Sequence, residues 1–380
     1  MTARFIDTLR YLRSFRAGSI LVLAVTALTV IGLVALSSAG KSFSSDSYFI
    51  FRRQVMWLII ALGAGGAAAL VDLDWMRKLS WVMFGIAAVL LFLVLVPGIG
   101  VTVNGARRWL DLGPMRLQPS DLAKVAMVFV MANYLGVHQR STTTFWKGFI
   151  FPSAILGVFV LLILAEPDFG TAFLCGIVGL AMLFLAGSRW LYLIPSSIVA
   201  LSAFSVAVYL DPVRLRRITS FLDVEGNKSD SSYQLWQGMV AFGTGGVDGV
   251  GLGNGRQQLA YLPEAHTDFI FPVIGEELGL VVTAGIVLLF FAIFFCGVIA
   301  VRKAPNLFQF LLVFGSLLFV TFQALINMGV VTGLLPTKGM SLPFISYGGS
   351  NLVVMFLFTG ILLNCLRTWD ESPLPKPREL

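Results

Sequence analysis

Apolar residues run along this chain in long blocks rather than in alternation with polar ones. A helix rises about 1.5 Å per residue, so roughly 20 apolar residues cross a hydrocarbon core. Ten segments approach that length, at approximately 18–38, 54–71, 80–97, 119–136, 149–165, 170–187, 191–209, 272–300, 308–329 and 350–366. The pattern predicts an all-α fold, a polytopic integral membrane helical bundle of about ten transmembrane helices. The chain reads as a single membrane domain over 1–380, with a large extracytoplasmic loop at 210–271 between the seventh and eighth helices and a cytoplasmic tail at 367–380. Arg4, Arg10, Arg13 and Arg16 precede an apolar run that is too long for a signal-peptide core, so that run stays as the first span.

Composition agrees. Hydrophobic residues make up 57% of the 380 positions and charged ones 12%, against roughly 45–50% (glycine included) and about 25% in soluble domains. A soluble globule, a disordered chain and a nucleic-acid-binding domain are excluded. The net charge of +7 is explained by topology, because cytoplasmic loops collect Lys and Arg. An even number of spans puts both termini on one side. With the termini in the cytoplasm, the inner segments hold 14 Lys and Arg and the outer ones 12. The outer segments are about twice as long, so positive density is higher inside. Cys175, Cys296 and Cys365 lie in apolar runs without metal-ligand spacing and read as small apolar fillers.

The predicted outer loops hold the candidate chemistry. Gly98–Pro119 contains Arg107, Arg108 and Trp109, and Pro119-Ser120-Asp121 suits a helix start. Lys124 follows one turn inside a span, where an ammonium is costly. Arg107, Arg108 and Lys124 together suit a diphosphate, the arginines by their planar forks and the lysine as a point charge. The competing account anchors the arginines to headgroups and lets Lys124 snorkel. Arg214, Arg216 and Arg217 read as headgroup anchors just past a span. Seven glycines fall within 243–255 without Rossmann or Walker spacing, and they mark backbone that turns tightly or approaches a ligand closely.

Farther on, Pro263-Glu264-Ala265-His266-Thr267-Asp268 leads into an apolar helix, with Glu276 and Glu277 two to three turns beyond Asp268. A carboxylate at that border is partly desolvated, which raises its pKa and suits it to accept a proton. A helix cap is the alternative. His266 reads as a hydrogen-bonded structural residue, and Glu264 as the next candidate base. The last loop, Leu335–Ser350, is non-helical yet apolar. Such backbone survives at membrane depth when it is buried in protein or lines a cavity. Lys338 could meet an anionic headgroup there, with a plain structural turn as the competing account.

Five segments together resemble the SEDS family (shape, elongation, division and sporulation), the FtsW, RodA and SpoVE proteins. They are Gly105-Ala106-Arg107-Arg108-Trp109-Leu110, Gln118-Pro119-Ser120, Glu166-Pro167-Asp168-Phe169-Gly170-Thr171, Leu262 to Phe271, and Ile345-Ser346-Tyr347-Gly348-Gly349-Ser350. The resemblance spans nearly the whole chain and leans to the division branch at Pro263-Glu264-Ala265-His266 and Leu335-Pro336-Thr337-Lys338-Gly339. Glu166 stands where the family tends to carry Gln, which adds a charge to that turn.

The resemblance implies a peptidoglycan glycosyltransferase that polymerises lipid II on the outer face of the cytoplasmic membrane, at the division septum. The essential family aspartate maps onto Asp268. Arg107, Arg108, Trp109, Lys124, Glu264, His266 and Lys338 are the candidate substrate-binding residues. A divalent cation, Mg or Mn, is a candidate helper, although no dedicated metal site is visible in the sequence. The implied partners are a single-pass class B penicillin-binding protein and other divisome membrane proteins, and no nucleic acid. The rival readings are a lipid II transporter and a non-catalytic divisome scaffold.

Overall fold

The computed structural model describes residues 2–39, 48–103, 106–111, 113, 116–230, 232–257 and 262–370, with side chains from residue 17 onward. Asn104, Gly105 and most of the predicted 367–380 tail lie outside the described residues. The helices are α1 (Thr2–Ala39), α2 (Phe49–Leu70), α3 (Leu73–Lys78), α4 (Ser80–Leu95), α5 (Pro119–Val137), α6 (Phe151–Ala165), α7 (Phe169–Leu185), α8 (Trp190–Tyr209), α9 (Pro212–Leu222), α10 (Tyr233–Gly245), α11 (Ile270–Val301), α12 (Leu307–Val331) and α13 (Gly349–Asp370). A three-stranded antiparallel sheet, β1 (Gly100–Val103), β2 (Ala106–Asp111) and β3 (Arg116–Leu117), fills the segment between α4 and α5.

Among the described residues, eight helices are long and apolar enough to cross a membrane. Two shorter apolar helices, α4 and α7, complete the ten expected segments. The protein is a multi-pass membrane protein. Its three cysteines are free and buried, as expected of apolar fillers.

Burial sorts the helices into centre and rim. In α5 and α13, 72% of the most apolar window is buried inside the protein, whereas in α8 only 6% is. α5 therefore forms the axis, packed against α4, α6, α7, α12 and α13. α8 faces lipid along most of its length.

The segment expected as a large loop at 210–271 contains two helices, α9 and α10. Asp211 caps α9 by accepting from the Val213 and Arg214 amides at 3.0 and 3.3 Å, and Pro212 supplies the preset first turn. α10 packs along the first turns of α11. Neither is long enough to register as a span, which is why hydropathy alone passes over both.

The non-helical segment between α12 and α13 is buried in protein, as the sequence requires. Leu342, Phe344 and Ile345 fill the core, and side chains from other elements satisfy the backbone around them. Gln323 donates to the Ser341 carbonyl at 2.9 Å, Asn327 to the Met340 carbonyl at 2.5 Å and Gln54 to the Ser346 carbonyl at 3.2 Å. Inside a bilayer each unmet carbonyl would cost several kcal/mol.

A related device closes α2. The last carbonyls of a helix have no partner within it. Asn364 of α13 donates to the carbonyls of Ala68 and Val71 at 2.8 and 2.6 Å. Asn364→Leu keeps the volume and removes both bonds, so thermal unfolding in detergent should show a loss of about 2 kcal/mol. An unchanged melting curve would mean that water or lipid satisfies those carbonyls.

Candidate active site

Asp268 sits in the turn that leads into α11. The Phe269 and Thr267 amides both donate back to the Glu264 carbonyl, at 3.3 and 3.1 Å, which closes the turn. Asn327 of α12 donates to the Asp268 carbonyl at 2.8 Å, and the Tyr347 amide donates to the His266 carbonyl at 2.9 Å. The backbone of Asp268 is thus fixed by two neighbouring elements while its carboxylate remains uncommitted. The residue before α11 is Phe269, with no side-chain cap. Among the described residues no hydrogen-bond donor reaches the Asp268 carboxylate. The cap alternative fails on geometry.

Gly339 lies close against that carboxylate: a Cβ there would lie 2.8 Å from Asp268 Oδ2 and would push the side chain aside. Burial pushes the Asp268 carboxyl up to about 7, with Glu264 and Asp168 adding to the rise and Arg108 and Arg217 opposing it. A group balanced near neutrality can take a proton and release it.

The cations around it come from three elements. Arg108 of β2 donates from Nε to the Glu166 carbonyl at 3.3 Å and from Nη2 to the Pro167 carbonyl at 2.6 Å, pinning the sheet to the α6–α7 turn. Lys338 lies over the rings of Phe173 and Phe204 at 4.6 and 5.8 Å, and burial pushes it down to about 8 against the pull of Asp168. α9 brings Arg214, whose guanidinium stacks on Phe169 and pairs with Asp211, and Arg217 one turn farther along the same face. Arg216 points elsewhere, to Asp230. Sequence reasoning left Arg214 and Arg217 out of the site. The Asp211-Pro212 helix start was the signal that could have put them on one face.

The structure separates the proposed diphosphate trio. The β1–β2 register shifts here, with Trp109 opposite Val101 and Arg107 opposite Thr102, so Arg108 is the extra residue of a bulge. Arg107 is exposed and Arg108 half-buried. Lys124 joins neither arginine. It is 3% exposed and pairs with Asp121, also 3% exposed, at 2.8 Å, while donating to Gln323 at 3.1 Å. Asp121 in turn accepts from Ser350 at 2.7 Å, and Gln323 donates to Asn351 at 2.9 Å. Lys124 is buried in this ion pair rather than turned outward as a snorkelling anchor. It is the centre of a buried network that joins α5, α12 and α13.

Glu264 is exposed and accepts from Thr267 Oγ1 at 2.7 Å. The His266 ring lies 5.8 Å from that of Tyr347, and burial lowers its pKa. Both remain on the turn of Asp268. Asp168 caps α7 through Thr171 and accepts from Gln118 at 3.2 Å, which joins two of the sequence motifs directly. Glu166 is fully buried, and both carboxyl oxygens lack a hydrogen-bond partner. Burial and then Asp168 push it up to about 9. It therefore adds no charge at pH 7.

Among the described residues, no three His, Cys, Asp or Glu side chains converge as metal ligands. The donor set does not fit a resident metal centre.

The family model described as cell cycle protein, comprising FtsW, RodA and SpoVE, matches residues 18–370. The chain belongs to this family. Among relatives of the FtsW–RodA–SpoVE family, a probable peptidoglycan glycosyltransferase FtsW from Hahella chejuensis is 41% identical, covering 93% of this chain and 92% of the relative. The corresponding protein of Methylococcus capsulatus is 40% identical over 92% and 89%. A chain in a structure concerned with polymerization and crosslinking by a peptidoglycan synthase complex aligns with a TM-score of 0.77 and 27% identity, over 93% of this chain and 98% of that one. The rod shape determining protein RodA of Thermus thermophilus aligns with a TM-score of 0.69 and 27% identity, over 91% and 95%.

The role of Lys124 is open to test. Lys124→Met leaves the Asp121 charge buried without its partner, which should cost about 3–5 kcal/mol. Adding Asp121→Asn removes the stranded charge and should recover most of that loss. Melting temperatures of the wild type, the single variant and the double variant would decide it. A single variant that melts like wild type would remove the network from its central place.

Proposed function

We propose that this chain polymerises lipid II into β-1,4-linked glycan strands on the outer face of the cytoplasmic membrane during cell division, with Asp268 as general base. The protein is a peptidoglycan glycosyltransferase, in keeping with its FtsW relatives. The observation that carries the mechanism is the Asp268 carboxylate, held by its backbone, free of a cap and in the field of Arg108 and Arg217.

The donor carries its sugar α-linked to undecaprenyl diphosphate. Asp268 takes the proton of the acceptor 4-hydroxyl as that oxygen attacks the anomeric carbon opposite the diphosphate. One C–O bond forms, one breaks, and inversion gives the β linkage. Diphosphate leaves as a stable anion, so no general acid is needed, unlike glycosidases with their two carboxyl groups. Arg108, Arg217 and Lys338 oppose the charge that develops on it. Arg107, Trp109, Glu264 and His266 are left for the sugar and peptide parts of the two substrates. A divalent ion, Mg or Mn, would enter with the diphosphate.

Both termini are proposed to be cytoplasmic, which puts Asp268 outside, where lipid II displays its headgroup. The proposed partner is a single-pass class B penicillin-binding protein, with other divisome membrane proteins at the septum. A neighbour of known structure that is part of a synthase complex supports a partnered state. A transporter needs polar groups along a path through the bilayer. The polar groups at depth here, Lys124, Asp121, Gln323 and Asn351, are bonded to one another.

Asp268→Asn keeps the shape and removes the basicity. Glycan synthesis from lipid II, with the partner present, should fall by about 10²–10⁴-fold while the melting temperature barely moves. Wild-type turnover by this variant would pass the base role to Glu264. The base acts deprotonated, so kcat/KM should rise with pH through an acid limb centred at about 7 that is absent from the residual activity of Asp268→Asn. A flat profile from pH 5 to 8 would remove Asp268 from the proton transfer.

Orientation has its own test. Single cysteines replacing Asn227 and Ala304 can be labelled in intact cells with an impermeant thiol reagent, since the native cysteines are buried. Only the first should react, and the reverse pattern overturns the outer placement of Asp268.

A further inference from the structure

α11 is broken where it matters most. Gly279 has φ 75° and ψ −175°, a conformation that L side chains rarely adopt. In an unbroken helix the amides of Leu280 and Val281 would donate to the carbonyls of Glu276 and Glu277. The break leaves all four groups without helical partners, and the glycine-rich segment after α10 satisfies them. Val250 N donates to the Glu276 carbonyl at 2.9 Å and Gly251 N to the Glu277 carbonyl at 3.0 Å. Leu280 N donates to the Gly246 carbonyl at 3.0 Å and Val281 N to the Val247 carbonyl at 3.5 Å. The loop is spliced into the helix. A Cβ on Gly279 would lie 2.2 Å from the Val247 carbonyl oxygen, and one on Gly249 would lie 2.3 Å from the Glu277 carbonyl oxygen, so the splice tolerates no side chain on either glycine.

The first part of α11, from Ile270 to Leu278, carries Asp268 just before its N-terminus. Its direction is not inherited from the rest of the helix, because the rigid hydrogen-bond ladder stops at Gly279. Two buried carboxylates hold the spliced loop against it. Glu276 uses both oxygens, accepting from Arg256 N at 2.9 Å and Gln257 N at 3.1 Å. Glu277 accepts from Gly253 N at 3.0 Å and from Ser38 of α1 at 2.7 Å. Gln257 continues the chain of contacts toward the site, since its carbonyl accepts from Leu262 N at 2.9 Å. Leu262 opens the turn of Asp268.

We infer that Glu276 is a positioning residue for catalysis: by clamping the glycine loop into the break at Gly279, it sets the placement of the short helix that presents Asp268. The inference rests on Asp268 acting as the base. Glu276 touches neither substrate nor the reacting atoms, so its effect reaches the reaction only through geometry. A displacement of about 1 Å at a reacting group can cost on the order of 10²-fold in rate.

Glu276→Gln is the test. The amide keeps one acceptor and turns a donor toward the other backbone amide, so one of the two clamp bonds is lost. Glu276→Asp keeps both acceptor oxygens on a stem one methylene shorter, and it supplies the measurement should the first variant fold poorly. Kinetics are measured per folded molecule, on monodisperse protein with its partner. We expect kcat to fall by about 10- to 100-fold in Glu276→Gln, KM to stay within about threefold, and Glu276→Asp to lie between it and wild type. Hydrogen exchange should quicken both in 250–257 and in the turn around Asp268. A lower melting temperature with wild-type kcat in both variants makes Glu276 merely structural and overturns the inference. So does a rise in KM alone, or faster exchange confined to 250–257. Asp268→Asn, run alongside, keeps the failures distinct: if that variant is fully active, the base assignment has failed rather than the clamp.

Discussion

A buried ion pair holds the centre of this protein. Lys124 and Asp121 lie inside the helical bundle, where each charge alone would cost several kcal/mol. Such a pair contributes little net stability over well-packed apolar residues. Its hydrogen bonds do restrict which helices can come together and at what height. Asp121 takes Ser350 at the start of α13, Lys124 takes Gln323 on α12, and Gln323 takes both Asn351 and the Ser341 carbonyl. A shift of α12 or α13 by one helical turn would break the bonds of Gln323 and Ser350 to the pair. The segment between those helices is fixed in consequence, and it delivers Gly339 to the Asp268 carboxylate and Lys338 to the rings of Phe173 and Phe204.

The same constraint, that buried backbone must be satisfied, governs the two places where the helices fail. Between α12 and α13 the irregular chain is met by Gln54, Gln323 and Asn327. At Gly279 the four groups released by the break are met by a loop from elsewhere in the sequence. The carboxylate of Asp268 is uncommitted, as are the buried oxygens of Glu166. Native structures leave a polar group unmatched where chemistry needs it.

The long apolar runs made the ten segments legible, because a span is a local property of composition. α3, α9, α10 and the sheet were not legible, being too short for a hydropathy window and placed by what they pack against. Residue roles were legible in proportion to how local they are. Asp168 as a cap is readable from Asp-Phe-Gly-Thr, whereas Asp268 reads equally as a cap or a base until the direction of its side chain is known. Arg107 and Arg108 look like one cluster until the bulge at Arg108, and its bonds to the α6–α7 turn, are known. Lys124 correctly stood out as costly, but its partner Asp121, three residues earlier, was taken only as a helix-start residue. The glycine-rich segment signals a close approach, but what it approaches is the backbone of α11 rather than a ligand. Its counterpart, the break in α11, lies some thirty residues away, beyond any local pattern.

The electrostatics of the site explain why its cations are individually restrained. Arg108 is tied to two carbonyls, Arg214 to Phe169 and Asp211, and Lys338 to two rings. Charges fixed in advance need no reorganisation when a leaving group becomes negative, so their stabilisation appears in the rate. The same cations act on the base. Arg108 and Arg217 draw the Asp268 carboxyl down, while burial, Glu264 and Asp168 drive it up, and the balance falls near neutrality. More positive charge would stabilise the departing diphosphate better but leave a weaker base. Less would leave Asp268 protonated and unable to act. The two demands pull the local charge in opposite directions, and the acidic pair Glu264 and Asp168 makes a strongly cationic site compatible with a working base.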